Sequence, residues 1–332
     1  MDTNLKTKPF LVACIVVGGL VVVGLGLSLT HSVEVNQKAS ADLAKMEYPV
    51  ARLSGVRCAN SDHRPLAVMV SSDPEARPLS GISQADMVFE LPVTPSGVTR
   101  MMAVFQCVEP SEVGSVRSAR LDFVPIALGL GAVYAHWGGE HTVLEELNNH
   151  IVDNIDGLRY DGTIYYRKTG IKPPHNGFSN YKLLRQAMQA NHYDWRLVDQ
   201  TPAYQFNDAK VTVGTQTGPT IYADQFQVSW RYDAKSNGYI RSRNGQIELD
   251  KITSQAVNVK NVLVMHTTWS PISKDYLRVK TIGSGQLEVY SNGQIISGSW
   301  EKQTDQGKLF FYDQNHKEIK LVTGNSWIEV VI

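Results

Sequence analysis

Residues 114–139, GSVRSARLDFVPIALGLGAVYAHWGG, decide how the chain is read. The stretch opens on a turn-like Gly-Ser and sets Arg117 and Arg120 three residues apart. It then runs through an apolar segment and ends on His136 before Gly138 and Gly139. A helix beginning after Ser118 would put both arginines on one face of its first turn. A helix start carries partial positive charge and free N–H groups, so arginines there make an anion-attracting end. First turns otherwise favour acidic residues, and local violations of this kind mark functional sites. The competing explanation is a solvated face, or ion pairs with Asp122 or Glu112. Pro125 shortens or kinks the helix, and residues 132–137 follow as a strand ending in His136.

Working outward, residues 66–70 (LAVMV) form an unbroken apolar run after Arg64-Pro65, which implies a strand buried on both faces. The next segment, SSDPEARPLSG, is a loop. Residues 83–90 turn into a strand that carries Asp86 and Glu90, and residues 99–107 (TRMMAVFQC) make a second buried strand. Arg100 stands at the start of that strand. It is a solvated edge residue unless it converges with Arg117 and Arg120. Residues 142–150 and 180–191 read as helices. Between them, Lys172-Pro-Pro-His-Asn176 is rigid and cannot be helical. Rigid loops are where binding groups tend to sit, although an Asx-type turn also accounts for His175 and Asn176.

After residue 205 the pattern changes to short alternating runs such as FQVSWRYD, NVLVMHTTW and SWIEVVI. Turn signals at Asn237-Gly238, Asn244-Gly245 and Asn292-Gly293 separate them, so this half reads as a sandwich or partly closed barrel. At the other end, residues 9–30 carry no charge and are long enough to span a bilayer, with Lys6 and Lys8 before them favouring a cytoplasmic N-terminus. A cleaved signal peptide is the alternative. Cys14, after Leu-Val-Ala, resembles a lipoprotein box but comes too early in the apolar run. The expected layout is α+β. A cytoplasmic tip and anchor (1–31) and a stalk (32–57) lead to an α/β domain with an Arg/His cluster (58–204) and a β-rich domain (205–332). That makes a single-pass protein of the cell membrane with extracytoplasmic C-terminal domains, its membrane partner engaged through the N-terminal helix.

Composition narrows the function. Lys+Arg 32 balances Asp+Glu 32, which gives no electrostatic case for nucleic acid. No CxxC or Cys/His cluster suggests zinc, and no motif names a metal or a cofactor. There is no G-x-S-x-G, no paired S-x-x-K, no H-E-x-x-H and no Walker loop. A serine nucleophile, Ser115 or Ser118 with His136 as base, can be drawn only if the two prove to be neighbours. What the first half offers is cationic and polar: Arg100, Arg117, Ser118, Arg120, His136, Arg167, His175 and Asn176. Its acidic companions are Asp86, Glu90 and Asp122. Arginine suits bidentate capture of phosphate or carboxylate. Convergence of Arg100, Arg117, Arg120, His136 and His175 on one cleft is the expectation. Cys58 and Cys107 can pair as a disulfide outside the cytoplasm, or be two separately buried cysteines.

The sequence resembles the YerB-like family of bacterial envelope proteins over nearly all of the chain after Arg64. The motifs that carry the likeness are RPLAVMV (64–70), ARPLSG (76–81), ADMVFE (85–90), GVTR (97–100), GSVRSAR (114–120), HWGG (136–139) and PHN (174–176). In the second half they are YIR (239–241), Asn261-Val262, Gly283 to Gly285, GSW (298–300) and Gly324 to Glu329. The resemblance implies an α/β domain and a β-rich domain outside the cytoplasmic membrane, and it brings no established reaction. The chain departs from it in the apparent membrane span, the Cys58/Cys107 pair and Glu140, where a small residue is expected. Three functions stay open: binding of an anionic wall polymer or lipid-linked precursor, phosphoryl transfer or hydrolysis in the envelope, and scaffolding of a membrane complex.

Overall fold

Leu66–Ser71 (β1), Met87–Pro92 (β2) and Thr99–Phe105 (β3) are buried along their whole length, as their unbroken apolar runs require. The structure is a computed structural model that describes residues 48–197, 204–207 and 214–332. The expected membrane span and most of the stalk lie outside the described residues. Among those described, no helix is long and apolar enough to cross a membrane.

β3 runs antiparallel to both β1 and β2. Val133–His136 (β4) lies parallel to β1, and Asn154–Asp156 (β5) parallel to β4. The second half begins with the antiparallel pair Val228–Asp233 (β6) and Gly238–Arg243 (β7). It continues through Asn261–His266 (β8), Leu277–Val279 (β9), Gly283–Ser291 (β10), Gln294–Lys302 (β11), Phe310–Asp313 (β12) and Ser326–Val331 (β13). β10 and β11 are joined by Asn292-Gly293 with φ of 53° and 64°, the left-handed pair a two-residue hairpin turn demands. Among the described residues three α-helices complete the frame: Val124–Gly129 (α1), His141–Asn148 (α2) and Tyr181–Ala190 (α3). Asn180 caps α3 by accepting from the Leu183 N–H at 2.8 Å, and Glu140 caps α2 from Thr142 at 3.0 Å.

The central sheet has ten strands in the order β12-β11-β10-β8-β13-β2-β3-β1-β4-β5. Both the α/β half and the β-rich half of the sequence are present, and they share this sheet. The first supplies β1–β5 and the second β8 and β10–β13. They join where β13 lies parallel to β2, with Val88 opposite Trp327 and Glu90 opposite Glu329. The second half therefore does not close a sandwich or barrel of its own. Alternation identifies strands but carries no information about which strand a given edge will meet.

One face of the sheet packs Met69, Met102 and Tyr134 against α1 and α2 (Ala127, Val143, Leu147), together with Leu277, Val279 and Phe311 from the second half. The other packs Val68, Ala103 and Val133 against α3 (Leu184, Ala187, Met188) and against β6 and β7 through Val228, Trp230 and Tyr239. The result is a layered arrangement with apolar cores on both sides of the sheet.

Charge is also buried at the seam. Glu90 and Glu329 face each other in register, and both are fully buried. Arg241 from β7 reaches Glu90 and Glu248, Arg243 reaches Glu90 at 2.7 Å, and the Arg241 guanidinium lies 4.3 Å from the centre of the Trp327 ring. Burial by itself would raise Glu90, but Arg243 and Arg241 outweigh it and hold the carboxyl well below its ordinary value. Glu329 is pushed upward, first by burial and then by the Glu90 charge, and it accepts from the Trp230 indole at 3.0 Å. One carboxylate of the pair is thus ionised and its neighbour favours the proton. Arg241→Met should lower the unfolding free energy by about 3–5 kcal/mol, because it strips the buried carboxylates Glu90 and Glu248 of a shared partner. Glu329→Gln, which mimics the protonated acid, should cost far less. Urea titrations of both variants measure the difference.

Candidate functional site

β1 and β4 pair only from Leu66–Val68 and Val133–Ala135, and then part. Residues 115–119 fill the gap in extended form. Ser71 N–H donates to Ser115 O at 3.0 Å, Arg117 N–H to Met69 O at 2.9 Å, and Trp137 N–H to Arg117 O at 3.0 Å. Gly114 leads into this segment because a Cβ there would sit 2.4 Å from the Phe178 ring. Arg120 is also extended, with φ −136° and ψ 139°, and the first helical turn begins only at Leu121. The expected helix after Ser118 is therefore not what brings Arg117 and Arg120 together. Competition for the open strand edges keeps the segment extended, and backbone bonds to β1 and β4 replace those a helix would make.

Arg100 reaches the same corner through strand direction. Because β3 is antiparallel, its start lies beside the carboxyl ends of β1 and β2, with Arg100 opposite Ser71 and Leu91. The side chain is on the face of Met102 and Tyr134 and is only 4% exposed. Burial drives its guanidinium down, and Arg117 and Arg120 drive it further, to about 9, against the pull of Asp73. Arg117 Nη2 stands 3.6 Å from Asp73 Oδ2, and His175 Nδ1 stands 3.9 Å from the same oxygen. Arg117 Nη1 also donates to Pro174 O at 3.2 Å, which ties the Pro-Pro-His loop to the corner. The Arg120 guanidinium lies 5.1 Å from the centre of the Tyr276 ring.

Two guanidiniums and a histidine thus bear on Asp73, and Arg120 stands beside Arg100 and Arg117. Burial raises Asp73, but the Ser71 hydroxyl at 2.6 Å and the charges of Arg100, Arg117 and His175 bring it below its ordinary value. His175 is lowered first by burial and then by Arg117. Several buried donors and polar atoms here have no hydrogen-bond partner: Arg100 Nε and Nη1, Arg117 Nε, Arg120 Nε, Ser115 Oγ and His175 Nδ1.

The other candidates lie apart from this group. His136 is fully buried, with Nδ1 2.9 Å from Gly138 O and Nε2 3.2 Å from Asn154 Oδ1. Those partners leave it neither in the arginine group nor paired with Ser115 or Ser118, and Ser118 itself is half-buried. Arg167 binds Asp161 and the Asn176 side chain, and stacks 4.3 Å from the Trp137 ring centre. Asp86 accepts from Ser54, Gln106 and Cys107, Glu90 belongs to the seam, and Asp122 pairs with Arg278 at 3.1 Å. Cys58 and Cys107 form a disulfide with Cα atoms 5.6 Å apart. Among the described residues no group of three or more metal-ligating side chains is gathered. Sequence reasoning missed Asp73 and Ser71, although both follow a buried strand at its carboxyl end, where ligands gather in open sheets. Tyr276 and Arg278 come from the other half of the chain and had no such signal.

Residues 53–194 match the family model described as Protein of unknown function (DUF3048) N-terminal domain, and residues 219–328 match its C-terminal domain. A relative from Bacillus subtilis (strain 168), described as a putative lipoprotein YerB, is 30% identical over 281 residues and covers 82% of each chain. The crystal structure of YerB protein from Bacillus subtilis is similar with a TM-score of 0.77 at 28% identity, over 85% of this chain and 96% of that one.

Asp122 supplies a measurable signature of the corner's edge. Burial raises its carboxyl to about 7 in spite of Arg278. An unfolded aspartate titrates near ~3.9, so the native state holds the proton over the interval in which the unfolded chain releases it. Stability should accordingly fall as pH rises from about 4 to about 7 and level off above. Asp122→Asn should remove that slope, as read from denaturation midpoints across the same range.

Proposed function

The chain belongs to the DUF3048 family, and from that premise we propose that its arginine corner binds a phosphate- or carboxylate-bearing ligand of the cell envelope. The observation that carries this reading is Arg100, a side chain 4% exposed with two unpartnered donors and two further guanidiniums raising the local positive potential. A buried cation without a full set of partners is costly, and an anion with several acceptor oxygens relieves it. Arginine forks match such oxygens two at a time. Asp73 fits the role of a positioning residue that holds Arg117 and His175. A carboxylate kept below its ordinary value is a weak base, which favours capture of the ligand over phosphoryl transfer or hydrolysis.

The reading extends to location. The relative's description as a putative lipoprotein supports a membrane-associated protein with its folded part outside the cytoplasm, and the Cys58–Cys107 disulfide suits an oxidising compartment. The uncharged run at residues 9–30 is the segment we assign to membrane attachment. The ligand would then be a wall polymer or a lipid-linked precursor. A C-terminal reporter active only in the cytoplasm would reject this location.

The binding test uses the full chain, with inorganic phosphate and pyrophosphate as probes. Pyrophosphate should raise the melting temperature and bind more tightly than phosphate. Arg100→Met should raise the melting temperature of the free protein, since it removes an unpaired buried cation, and should abolish the pyrophosphate shift. Arg120→Lys keeps the charge but loses the fork, and should weaken binding about tenfold with the fold intact. An undiminished shift in Arg100→Met would overturn the reading.

A further inference from the structure

We propose that the cavity along α3 is a second ligand site, shaped for an acidic saccharide whose ring stacks on Trp195. The cavity encloses about 740 Å³, within the size range of small-ligand sites. It lies on the side of the sheet opposite the Arg100 side chain, since α3 packs on the face of Val68 and Ala103. No part of the arginine corner lines it.

Trp195 carries the inference. The residue is 50% exposed at the cavity wall, although burying an indole is among the most favourable contacts a chain can make. The ring is nevertheless held in place. His63 lies against it at 4.5 Å between centroids, the Arg196 guanidinium stands 5.4 Å from its centre, and Arg185 stands between Trp195 and Tyr181, at 5.8 and 5.1 Å from their centres. Arg185 Nη1 donates to Trp195 O at 3.3 Å, while its Nη2 is buried and has no partner. A flat apolar surface, fixed in orientation by these neighbours and still half exposed, is a stacking platform at low entropic cost.

The helix supplies the polar half. Lys182, Gln186 and Gln189 repeat at helical spacing, are exposed, and line the same cavity. Leu184, Ala187 and Met188 anchor the opposite side of α3 in the core, so the face is rigid. A sugar ring presents an apolar C–H face and a rim of hydroxyls that both donate and accept. The indole suits the first, and glutamine amides, which also donate and accept, suit the second. The charge is biased as well. Among the described residues that line the cavity, Lys182 and Arg185 stand against one carboxylate, Glu109, which already accepts from Asn60 at 2.9 Å. This bias selects a saccharide that carries an acidic group over a neutral one.

The test titrates the full chain with the disaccharide of N-acetylglucosamine and N-acetylmuramic acid, and with neutral chitobiose. Saturation-transfer NMR and tryptophan fluorescence report binding. The acidic disaccharide should bind about tenfold more tightly than chitobiose. Trp195→Ala should abolish binding, Trp195→Phe should retain part of it, and Lys182→Gln should bring the two sugars to equal affinity. If Trp195→Ala fails to fold, Gln186→Ala and Gln189→Ala carry the decision, each expected to weaken binding. Arg100→Met should leave saccharide binding unchanged, which separates this site from the arginine corner. Absence of saturation transfer from either sugar at millimolar concentration overturns the proposal. So does binding that survives Trp195→Ala, or a preference for chitobiose.

Discussion

The parallel pairing of β2 with β13 is the constraint on which the rest of the architecture depends. It joins strands from opposite ends of the chain and turns two five-stranded sets into one sheet. The pairing places Glu90 against Glu329 in a fully buried position. Two adjacent buried carboxylates cannot both be ionised, and the neighbouring elements resolve the conflict by giving Glu90 two arginines and Glu329 an indole donor. Those arginines come from β7, in the smaller sheet that covers this face, so the ion cluster fixes the layer as well as the seam. Buried ion pairs are weak evidence for stability alone. Here the cluster links β2, β13 and β7 through Glu90, Glu329, Arg241 and Arg243.

The arginine corner is organised on opposite terms. At the seam each guanidinium finds a carboxylate, with Arg241 and Arg243 both reaching Glu90. At the corner, Arg100 and Arg117 share Asp73 with Arg120 beside them, and several of their donors have no partner. The same residue type therefore does two jobs in one molecule. At the seam the guanidiniums are ion-paired to Glu90, although Arg241 Nε and Arg243 Nε lack hydrogen-bond partners too, and at the corner Arg100 and Arg117 share the one carboxylate of Asp73. The extended insertion of residues 115–119 between β1 and β4 makes the second arrangement possible, because it carries Arg117 and Arg120 to the sheet end and holds their backbone by bonds to both strands.

The corner and the α3 cavity lie on different faces and use different chemistry. One offers forked cations at the end of a parallel set of strands. The other offers an open indole beside a polar helix face. The helix, the adjoining loop and the disulfide near β3 tie the second region to the same frame, so the two proposed sites keep a fixed mutual geometry, an arrangement that favours a ligand long enough to reach both through effective concentration.

By itself, the sequence determined the local elements and the cast of residues. Unbroken apolar runs marked β1 and β3 as buried, Asn-Gly pairs marked hairpins, and helical spacing marked α3, because each follows from interactions within a few residues. Arg100, Arg117, Arg120 and His175 could be singled out as cations of one half. Their convergence was the expectation, but the route to it was not legible, because it depends on β3 running antiparallel and on an extended segment that local propensity reads as a helix start. His136 shows the converse. Its position at a strand end pointed to the corner, and its side chain is satisfied inside the fold by Gly138 and Asn154. Only the tertiary structure decided the joining of the halves, the split roles of the arginines and the contributions of Asp73, Tyr276 and Trp195. Each of these is set by strand partners and charge neighbours far apart in the chain, and no short-range pattern in the sequence encodes which edge, face or ion will be met.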